Sequence, residues 1–521
     1  MRTRTSLLAL AACVLVGPPT ALSQTFATDD PVIERIWEEG MGNSHTQRLA
    51  QALMDSIGPR LAGSPEFDAA GAWLLAMYEE WGVPARKEEY GTWRGWRQGT
   101  LHVDLVAPRV QTLEAELLAY SPGSGGPVEG EVVVVPPDLS EETLPQWLET
   151  VAGKFVLTSP PEPMCRAPQE LERFAREETV ERVDSLRSAT AREYFTRVRT
   201  IASGRRAGVR ALEDAGAAGI LTSRWSGGWG VNKVFNGGTR SIPAIDLSCE
   251  DYGLLFRMAA RGQAPHIRLD ARSEDLGEVP QFNIIAEIRG SELPDEYIVL
   301  SAHLDSWHAG TGATDNGTGT ITMLEAMRIL NETYPSPRRS IIVGHWGAEE
   351  MGLIGSRSFV EDHPEVVEGL QVAFNQDNGT WRIERIEGQG FLHAGEHIAR
   401  WISIVPSEIS GHVTLEFPGA QNNRGSDHSS FVCSGAPAFR LQSNYEEYRQ
   451  YTWHTNRDTY DKIVFDDLKE NATLAAMLAY AASEDPNRVP RDRAALPIDP
   501  NTGEPRPWMQ CGRARRTPRP D

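Results

Sequence analysis

The second half of the chain carries a series of histidine and acidic side chains that could bind metal ions together. In chain order they are His303, Asp305, Asp315, the adjacent pair Glu349 and Glu350, Asp377 and His454. Imidazole nitrogen and carboxylate oxygen suit zinc, and coordination positions left open suit catalysis. Five ligands in the order His, Asp, Glu, Asp, His are what two zinc ions sharing one carboxylate require, and one of the two adjacent glutamates remains as a further acid. The pattern predicts a metal site with one acid free for proton transfer.

Each of these residues has an ordinary explanation when it is taken alone. His303 and Asp305 could form a capping or surface pair at a strand end, and the segment 315–317 is a common turn before a helix. Adjacent glutamates such as Glu349 and Glu350 usually face solvent. The joint occurrence of all these residues is therefore what favours a metal site.

Strands alternate with helices after residue 283, which predicts an α/β sheet with helices on both faces. The predicted strands are Tyr297–Ala302, Ser340–Trp346, Leu370–Asn375, Val413–Phe417 and Ala438–Gln442, and the predicted helices are Thr318–Leu330, Leu353–Asp362 and Phe465–Ser483. Sites in open α/β sheets form beyond the carboxyl ends of the strands. His303, Glu349 and Asp377 each follow a predicted strand, so we expect them at one edge of the sheet.

The first half of the chain holds few residues suited to chemistry. Helical spacing within Ser44–Trp81 predicts helices around a break at residues 58–59, and alternation within Leu101–Leu118 predicts strands. Further predicted strands are Val128–Val135, Lys154–Leu157, Gly219–Thr222, Ile242–Leu247 and His266–Leu269, and further predicted helices lie in Gln169–Ser203 and Arg206–Ala215.

Several motifs together resemble the co-catalytic zinc aminopeptidase and glutamate carboxypeptidase family, and most closely its plasma glutamate carboxypeptidase (carboxypeptidase Q-like) branch. The motifs are Ser301–Trp307, Asp315–Gly319, Ala348–Ser356, Gly425–His428 and His454–Asp461, and the resemblance covers about residues 45–485. It implies an α/β fold: a three-layer mixed-sheet zinc-exopeptidase domain with an inserted β-rich α/β protease-associated domain.

The resemblance also implies the domain organisation. Segments 153–157, 211–220 and 242–247 look like parts of the inserted domain. The expected order is a signal peptide at 1–23, a first catalytic part at 24–118, the protease-associated insert at 119–275, the main catalytic part at 276–485 and a Pro/Arg-rich tail at 486–521. The length of 521 residues agrees, since it predicts two or three domains.

Carried over residue by residue, the resemblance assigns the two zinc ions of each chain. It makes Asp315 the bridging ligand, with His303 and Asp377 completing one site and Glu350 and His454 completing the other. Glu349 becomes the general base, which takes a proton from a water bridged by the two zinc ions and passes it to the leaving amine.

Residues around the ligands follow from the same resemblance. Asp305 is expected to orient His303 through its second ring nitrogen, and Asp458 to do the same for His454. Asp427 and His428 are expected near a site loop but not as ligands. Two departures from the family pattern, His308 and Asn316, stand where relatives often carry an acid. They bear on substrate preference and leave the metal count unchanged.

The implied activity is that of an exported zinc exopeptidase that hydrolyses a terminal peptide bond of small peptides. An aminopeptidase is the first reading, and a carboxypeptidase or dipeptidase is the second. A carboxypeptidase needs an arginine for the substrate carboxylate, and Arg424 and Arg449 are candidates. Two other classes remain as alternatives, a glutaminyl cyclase with one zinc and a non-catalytic binding protein. Both are disfavoured because every metal and base position is present.

The composition excludes other partners. The formal charge of −21 argues against nucleic acid or an anionic membrane as the main partner. No later stretch of about 18 apolar residues predicts a membrane span. The expected partner is a peptide substrate, and a homodimer is left open.

The amino-terminal residues resemble an export signal. Met1–Ser23 combines Arg2 and Arg4 with an apolar run and a small-x-small cleavage site at Ala21–Ser23. The expected location is therefore periplasmic or secreted, with lipoprotein anchoring at Cys13 as the alternative. Four cysteines remain after cleavage, which allow three disulfide pairings or free buried thiols: Cys165, Cys249, Cys433 and Cys511. Trp508 or Cys511 could anchor the tail to the body.

Overall fold

The computed structural model describes residues 28–201, 205–377, 379–421 and 425–518. The predicted signal peptide with Cys13, and the candidate Arg424, lie outside the described residues. The strands are β1 (Ala85–Ala107), β2 (Gln111–Thr112), β3 (Ala115–Leu117), β4 (Val128–Val134), β5 (Phe155–Leu157), β6 (Gly219–Thr222), β7 (Ala244–Leu247), β8 (His266–Ile288), β9 (Leu293–His303), β10 (Arg339–Trp346), β11 (Leu370–Asn375), β12 (Arg385–Glu387), β13 (Thr414–Glu416) and β14 (Ala438–Gln442).

Helices fill most connections between the strands. They are α1 (Pro31–Trp37), α2 (Thr46–Ala50), α3 (Pro65–Glu80), α4 (Leu144–Leu148), α5 (Pro168–Phe174), α6 (Glu177–Ile201), α7 (Arg205–Asp214), α8 (Cys249–Ala260), α9 (Thr318–Thr333), α10 (Ile354–Asp362), α11 (Pro364–Gly369), α12 (Ala394–Ile402), α13 (Ser407–Ser410), α14 (His428–Cys433) and α15 (Phe465–Glu484). Among the described residues, none of these helices is long and apolar enough to span a membrane.

The strands form one mixed sheet. Its order is β13-β12-β14-β11-β9-β10-β8-β4-β5-β6-β7-β3, with β1 paired to β8 and β2 paired to β1. The central strands β14, β11, β9 and β10 run parallel to one another. The predicted mixed-sheet α/β fold is therefore confirmed.

Two long strands connect the two halves of the sheet. β1 and β8 pair antiparallel along almost their whole length, from Ala85 opposite Ala286 to Ala107 opposite His266. One end of β8 pairs with β10, and its other end pairs with β4. The strands β4 to β7 are parallel neighbours, with β3 antiparallel at the edge. The bounds of a separate protease-associated domain within 119–275 stay a prediction.

The centre of the sheet is covered on both faces. Every residue of β10 and β11 is buried, including polar ones, which requires packing elements above and below the strands. Helices α9 and α15 pack on each other and on β9, while α10 and α14 pack on each other and on the strands β10 and β11 respectively. This packing holds the carboxyl ends of β9, β10 and β11 in fixed relative positions.

The predicted elements around the site agree closely with the structure, and those of the first half agree less. The bounds of β6, β11 and β14 match the prediction, whereas β1 begins at Ala85 rather than near Leu101. The first part of β1 mixes charged and aromatic residues on both faces, so its sequence lacks the alternation that marks a strand. Strand β12 and helix α8 were not predicted.

Two disulfide bonds use all four cysteines of the described residues. Cys165 pairs with Cys249, which ties the segment before α5 to α8, and Cys433 pairs with Cys511. The second bond fastens the carboxy-terminal segment to the end of α14. The anchor that the sequence suggested at Cys511 is therefore present in the structure, and the free-thiol alternative is not.

Candidate metal centre

The five predicted ligands come from the loops at the carboxyl end of the parallel strands. His303 is the last residue of β9, Glu350 follows β10, and Asp377 follows β11. Asp315 lies in the turn before α9, and His454 lies in the loop that precedes α15. Parallel strands end at the same edge of a sheet, so loops distant in sequence converge there.

These side chains form two groups that share one carboxylate. His303, Asp315 and Asp377 make one group, and Asp315, Glu350 and His454 make the other. His303 Nε2 lies 3.4 Å from Asp315 Oδ1 and 3.6 Å from Asp377 Oδ1. His454 Nε2 lies 3.2 Å from Asp315 Oδ2 and 3.0 Å from Glu350 Oε2. Asp315 therefore presents one oxygen to each group.

The donor set fits divalent cations. His303 Nε2, Asp315 Oδ2 and Glu350 Oε1 are buried and accept no hydrogen bond from any described residue. Buried polar atoms are normally paired, so atoms left over at one point suggest a missing partner. Burial, followed by the neighbouring carboxylate of Asp315, raises the pKa of Glu350 well above its usual range. A bound cation would offset the electrostatic cost of burying these carboxylates close together.

Asp305 supports the centre through both its backbone and its side chain. The Nδ1–H group of His303 donates to the backbone carbonyl of Asp305 at 2.9 Å, which leaves Nε2 as the free ring nitrogen. The Asp305 carboxylate lies 3.8 Å from the same ring and instead accepts hydrogen bonds from the backbone N–H groups of Glu349 and Glu350 at 3.0 and 3.2 Å. The predicted orientation of His303 thus uses the carbonyl, and the carboxylate fixes the glutamate loop.

Asp458 contacts a different ligand from the one the sequence indicated. Its carboxylate accepts hydrogen bonds from the backbone N–H groups of Thr314 and Asp315 at 2.7 and 3.0 Å. Burial raises the pKa of Asp458 to about 7. The side chain therefore holds the turn that carries Asp315, whereas the sequence predicted contact with the ring of His454.

Two residues at the centre have a left-handed backbone. Ala348, directly before the glutamate pair, has a φ of 54°, and His454 has a φ of 56°. Residues other than glycine rarely adopt this conformation, and they do so where the surrounding structure holds them. The turn after Ala348 is held by hydrogen bonds from the backbone N–H groups of Gly352 and Leu353 to the Glu349 carbonyl.

A buried arginine that the sequence did not indicate fixes the loop between two ligands. Arg60 is fully buried, and its guanidinium donates to four backbone carbonyls, those of Gly58, Leu304, Thr311 and Gly312, at 2.8 to 3.0 Å. Burial lowers the pKa of Arg60 to about 10, so the group stays charged at neutral pH. The loop from His303 to Asp315 therefore has a defined shape. A glycine-proline break before an arginine carries no signal for such a role.

Two aromatic side chains at the centre were also missed. Trp307 donates from Nε1 to Glu350 Oε2 at 2.8 Å, which orients this carboxylate. Burial, followed by the nearby carboxylates of Asp315 and Asp377, raises the pKa of Tyr448 well above its usual value. Tyr448 also lines an aromatic cavity of about 360 Å³ that borders Thr314. Single aromatic residues have no sequence signal that separates a site from a core.

The other residues singled out from the sequence are Asp427, His428, His308, Asn316 and Arg449. Asp427 and His428 are fully buried at the start of α14. The two departures from the family pattern are also buried. His308 donates from Nε2 to the carbonyl of Leu117 at 2.6 Å, and Asn316 donates to the carbonyl of Gln376 at 2.9 Å. Arg449 packs over the rings of Tyr445 and Trp453, at 5.2 and 5.7 Å.

Comparison with known proteins places the centre in a family. Residues 283–479 match peptidase family M28, and this range contains all five candidate ligands. Carboxypeptidase Q of Mus musculus is 25% identical over 450 residues, which cover 86% of this chain and 87% of that protein.

Solved structures show the same fold. The peptidase M28 precursor of Shewanella amazonensis SB2B has a TM-score of 0.64 and 25% identity, and the match covers 88% of this chain and 98% of that one. A zinc aminopeptidase of Bacillus subtilis has the fold with a TM-score of 0.55 at 18% identity, over 85% of this chain and 96% of that one. The family match at residues 283–479 and the relatives aligned over most of the chain support the co-catalytic zinc peptidase family, and the chain is a zinc metallopeptidase.

Proposed function

We propose that the protein is an exported exopeptidase that uses two zinc ions to remove a terminal residue from small peptides, as an aminopeptidase. The observation that carries the proposal is the sharing of Asp315 between two ligand groups, with one oxygen 3.4 Å from His303 and the other 3.2 Å from His454. A carboxylate shared in this way serves a pair of metal ions, whereas a single ion needs only one of the two groups.

The ligand assignment is a proposal based on this arrangement. His303 and Asp377 would hold one ion, Glu350 and His454 the other, and Asp315 both. Zinc at these positions supplies the acidification of a water molecule and the polarisation of the substrate carbonyl. Trp307 keeps the Glu350 carboxylate oriented, and Asp305 and Arg60 keep the surrounding loops in place.

Glu349 is the proposed general base. Its backbone is fixed by Asp305, while its side chain belongs to neither ligand group. Burial, together with the charges of Asp427 and Asp377, raises the pKa of Glu349 well above its usual range, which suits a group that accepts and returns a proton near neutral pH. In this role Glu349 takes the proton from water and delivers it to the leaving amine.

A carboxypeptidase or dipeptidase of the same family is the second candidate. The relatives that align over most of the chain are named carboxypeptidase Q. In addition, four arginines line a cavity that borders Glu350, where they could bind a substrate carboxylate: Arg94, Arg210, Arg240 and Arg515. These two observations support this second candidate.

Export is proposed from the cysteines. Two disulfides are ordinary in a protein that folds outside the reducing cytosol. We also propose the protease-associated insert at 119–275 and the signal peptide at 1–23. Sequencing the amino terminus of the secreted protein tests the signal, with Gln24 as the expected first residue.

The activity is tested with a dipeptide panel on purified protein. Chelation should abolish hydrolysis, and added zinc should restore it; hydrolysis that survives complete metal removal contradicts the proposal. Blocking the amino group of the dipeptide should stop an aminopeptidase, whereas blocking only the carboxyl group should stop a carboxypeptidase. Cyclisation of amino-terminal glutamine without peptide hydrolysis would instead support a glutaminyl cyclase.

A further inference from the structure

Residues 230–235, which belong to the predicted insert, lie against the loop that carries the candidate ligand His454, and we call them the insert segment. Lys233 forms a β-bridge with Thr455, and the backbone N–H of Val234 donates to the carbonyl of His454 at 2.7 Å. His454 has a left-handed backbone with a φ of 56°, which a residue other than glycine keeps only where its surroundings hold it. The insert segment therefore helps to hold this ligand in its unusual conformation.

The Lys233 side chain holds the same loop through its amino group. Nζ donates to the carbonyls of Arg449 and Trp453 at 2.8 and 3.0 Å, and it lies 4.2 Å from the centre of the Trp453 ring. Burial lowers the pKa of Lys233 to about 8, and the carboxylate of Asp315 opposes this shift, so the amino group is mostly protonated at neutral pH. An ammonium group has three donors and no acceptor, so it suits a point where two carbonyls meet.

Two aromatic rings pack against the imidazole of His454. The ring of Trp453 stacks on it with centroids 3.9 Å apart, and Phe235 of the insert segment makes an edge-to-face contact at 5.1 Å. Phe235 also lies 5.5 Å from the ring of Trp307, which donates to Glu350. The insert segment thus contacts His454 directly and Glu350 through Trp307, and these are two ligands of the same group.

The insert segment is itself fixed to the end of β7. The side-chain amide of Asn232 donates to the carboxylate of Asp246 and to the carbonyl of Leu247, the last two residues of that strand. On the other side, the backbone N–H of Asn456 donates to the Asn232 carbonyl at 3.1 Å, and the Asn456 side-chain oxygen accepts from the Asn232 N–H at 3.0 Å. A continuous series of hydrogen bonds therefore joins β7 to the loop of His454.

The other ligand group is supported by the predicted catalytic part. Nδ1 of His303 donates to the carbonyl of Asp305 at 2.9 Å, and the carbonyl of His303 accepts from the hydroxyl of Thr320 at 2.8 Å. Both partners lie within 276–485 and close to His303 in sequence. Loosening the insert segment should therefore affect the group of His454 and Glu350 more than the group of His303 and Asp377.

We propose that the insert segment completes the ion site of His454 and Glu350, with Lys233 as a positioning residue that holds the loop of His454 in place. The inference rests on the proposed function, because it concerns one of the two zinc ions proposed there. Groups that orient a ligand typically contribute about 10-fold to 100-fold to metal affinity. The ammonium of Lys233 repels a nearby cation, so its contribution must come from its hydrogen bonds to the loop.

The variant Lys233→Met tests the positioning role, because it keeps a long side chain and removes the donors. It is made in two backgrounds that should each keep one ion: Asp377→Ala for the ion of His454, and Glu350→Ala for the ion of His303. The zinc affinity of the metal-free proteins is measured by competition with a chelator. We expect Lys233→Met to weaken zinc binding by about 10-fold or more in the Asp377→Ala background and by less than about 2-fold in the Glu350→Ala background.

The matched control is Lys154→Met. Lys154 is a lysine of the predicted insert that pairs with Glu131 on β4 at 3.0 Å, and its replacement should leave the affinity unchanged in both backgrounds. An equal effect of Lys233→Met in the two backgrounds, no effect in Asp377→Ala, or tighter zinc binding overturns the proposal.

A second variant guards against a general loss of structure. Phe235→Leu keeps an apolar side chain but removes the ring beside His454, and it should weaken the same ion. Urea unfolding of the metal-free proteins shows whether each variant is folded.

The affinities are measured without turnover, which separates the inference from the proposed function. A selective loss in Lys233→Met without hydrolysis by the wild-type protein would contradict the exopeptidase and support the inference. Hydrolysis by a wild-type protein with two zinc ions, together with unchanged affinities in Lys233→Met and Phe235→Leu, would overturn the inference and leave the exopeptidase standing.

Discussion

The Asp458 carboxylate accepts a hydrogen bond from the backbone N–H of Asp315 at 3.0 Å, although 143 residues separate the two in sequence. The same carboxylate accepts from Thr314. The proposed bridging ligand is therefore held by the loop that also supplies His454. This contact connects the turn that carries Asp315 with the loop that carries His454.

Replacing Asp458 should weaken metal binding without unfolding the protein. In Asp458→Asn an amide would face one of the two N–H groups, so the turn that carries Asp315 loses one acceptor. We expect zinc affinity to fall by about 10-fold to 100-fold, as for other residues that orient metal ligands. Competition with a chelator measures the affinity. The matched control is Asp461→Asn, which alters an exposed acid in the same segment; equal affinities for both variants would argue against the role of Asp458.

The adjacent residues Glu349 and Glu350 should give different results when each is replaced by glutamine. Glu349→Gln removes the proposed base and should lower kcat by about 100-fold or more, with the zinc content unchanged. Glu350→Gln removes a proposed ligand and should lower the zinc content as well. Metal analysis and initial rates on one dipeptide test both. Near-normal turnover in Glu349→Gln, or zinc loss in that variant, would be inconsistent with the assignment.

The buried arginine should contribute strongly to stability. In Arg60→Lys a single ammonium replaces a planar group that donates to four carbonyls, so several of these carbonyls lose their donor. We expect the free energy of unfolding to fall by about 3 kcal/mol, and the loop between His303 and Asp315 to loosen. Urea unfolding measures the change. The exposed Arg48 provides the control, since Arg48→Lys should change stability by less than about 0.5 kcal/mol; the same midpoint for both would refute the expectation.

One histidine should make stability depend on pH. His363 lies 2.8 Å from Glu88 and 3.0 Å from Glu365 through its two ring nitrogens, and the hydrogen bond to Glu88 is the main cause that raises the pKa of His363. Since the folded pKa is raised, the stabilisation is complete below the unfolded value of about 6.5 and is lost as the pH rises through the folded pKa.

The variant His363→Gln tests this relation. The difference in unfolding midpoint between the wild-type protein and the variant should be larger at about pH 6 than at about pH 9. The exposed His102 serves as the control, with His102→Gln measured at the same two pH values. A difference that grows with pH would mean that the sign of the contribution is wrong.

Whether a residue of the site could be predicted depends on how far apart in sequence its contacts lie. His303, Glu350 and Asp377 could be placed because each lies at or just beyond the end of an apolar strand, and a strand is defined by its own few residues. The contacts of Arg60 join residues up to 252 positions apart, and the arginine-lined cavity that borders Glu350 takes residues from β1, from α7 and from the carboxy-terminal segment. Local patterns do not record such contacts. Arg60 and the cavity therefore required the structure.

The ribbon of β1 and β8 shows the same limit within the fold. Only the ends Leu101–Leu118 and His266–Leu269 were predicted, because these parts alternate between apolar and polar residues. The rest of β1, which begins at Ala85, and the rest of β8, which ends at Ile288, are held by their antiparallel pairing with each other. Pairing between strands more than 150 residues apart stabilises segments whose own sequences do not favour a strand.

Zinc content in ligand variants tests the central claim most directly, because only a shared carboxylate affects both ions. Elemental analysis of the wild-type protein should give two zinc ions per chain, and Asp377→Ala should retain one. Asp315→Ala should retain almost no zinc, although, like Asp377→Ala, it removes a single carboxylate. One zinc per wild-type chain, or equal zinc contents in Asp315→Ala and Asp377→Ala, would contradict a two-zinc centre bridged by Asp315.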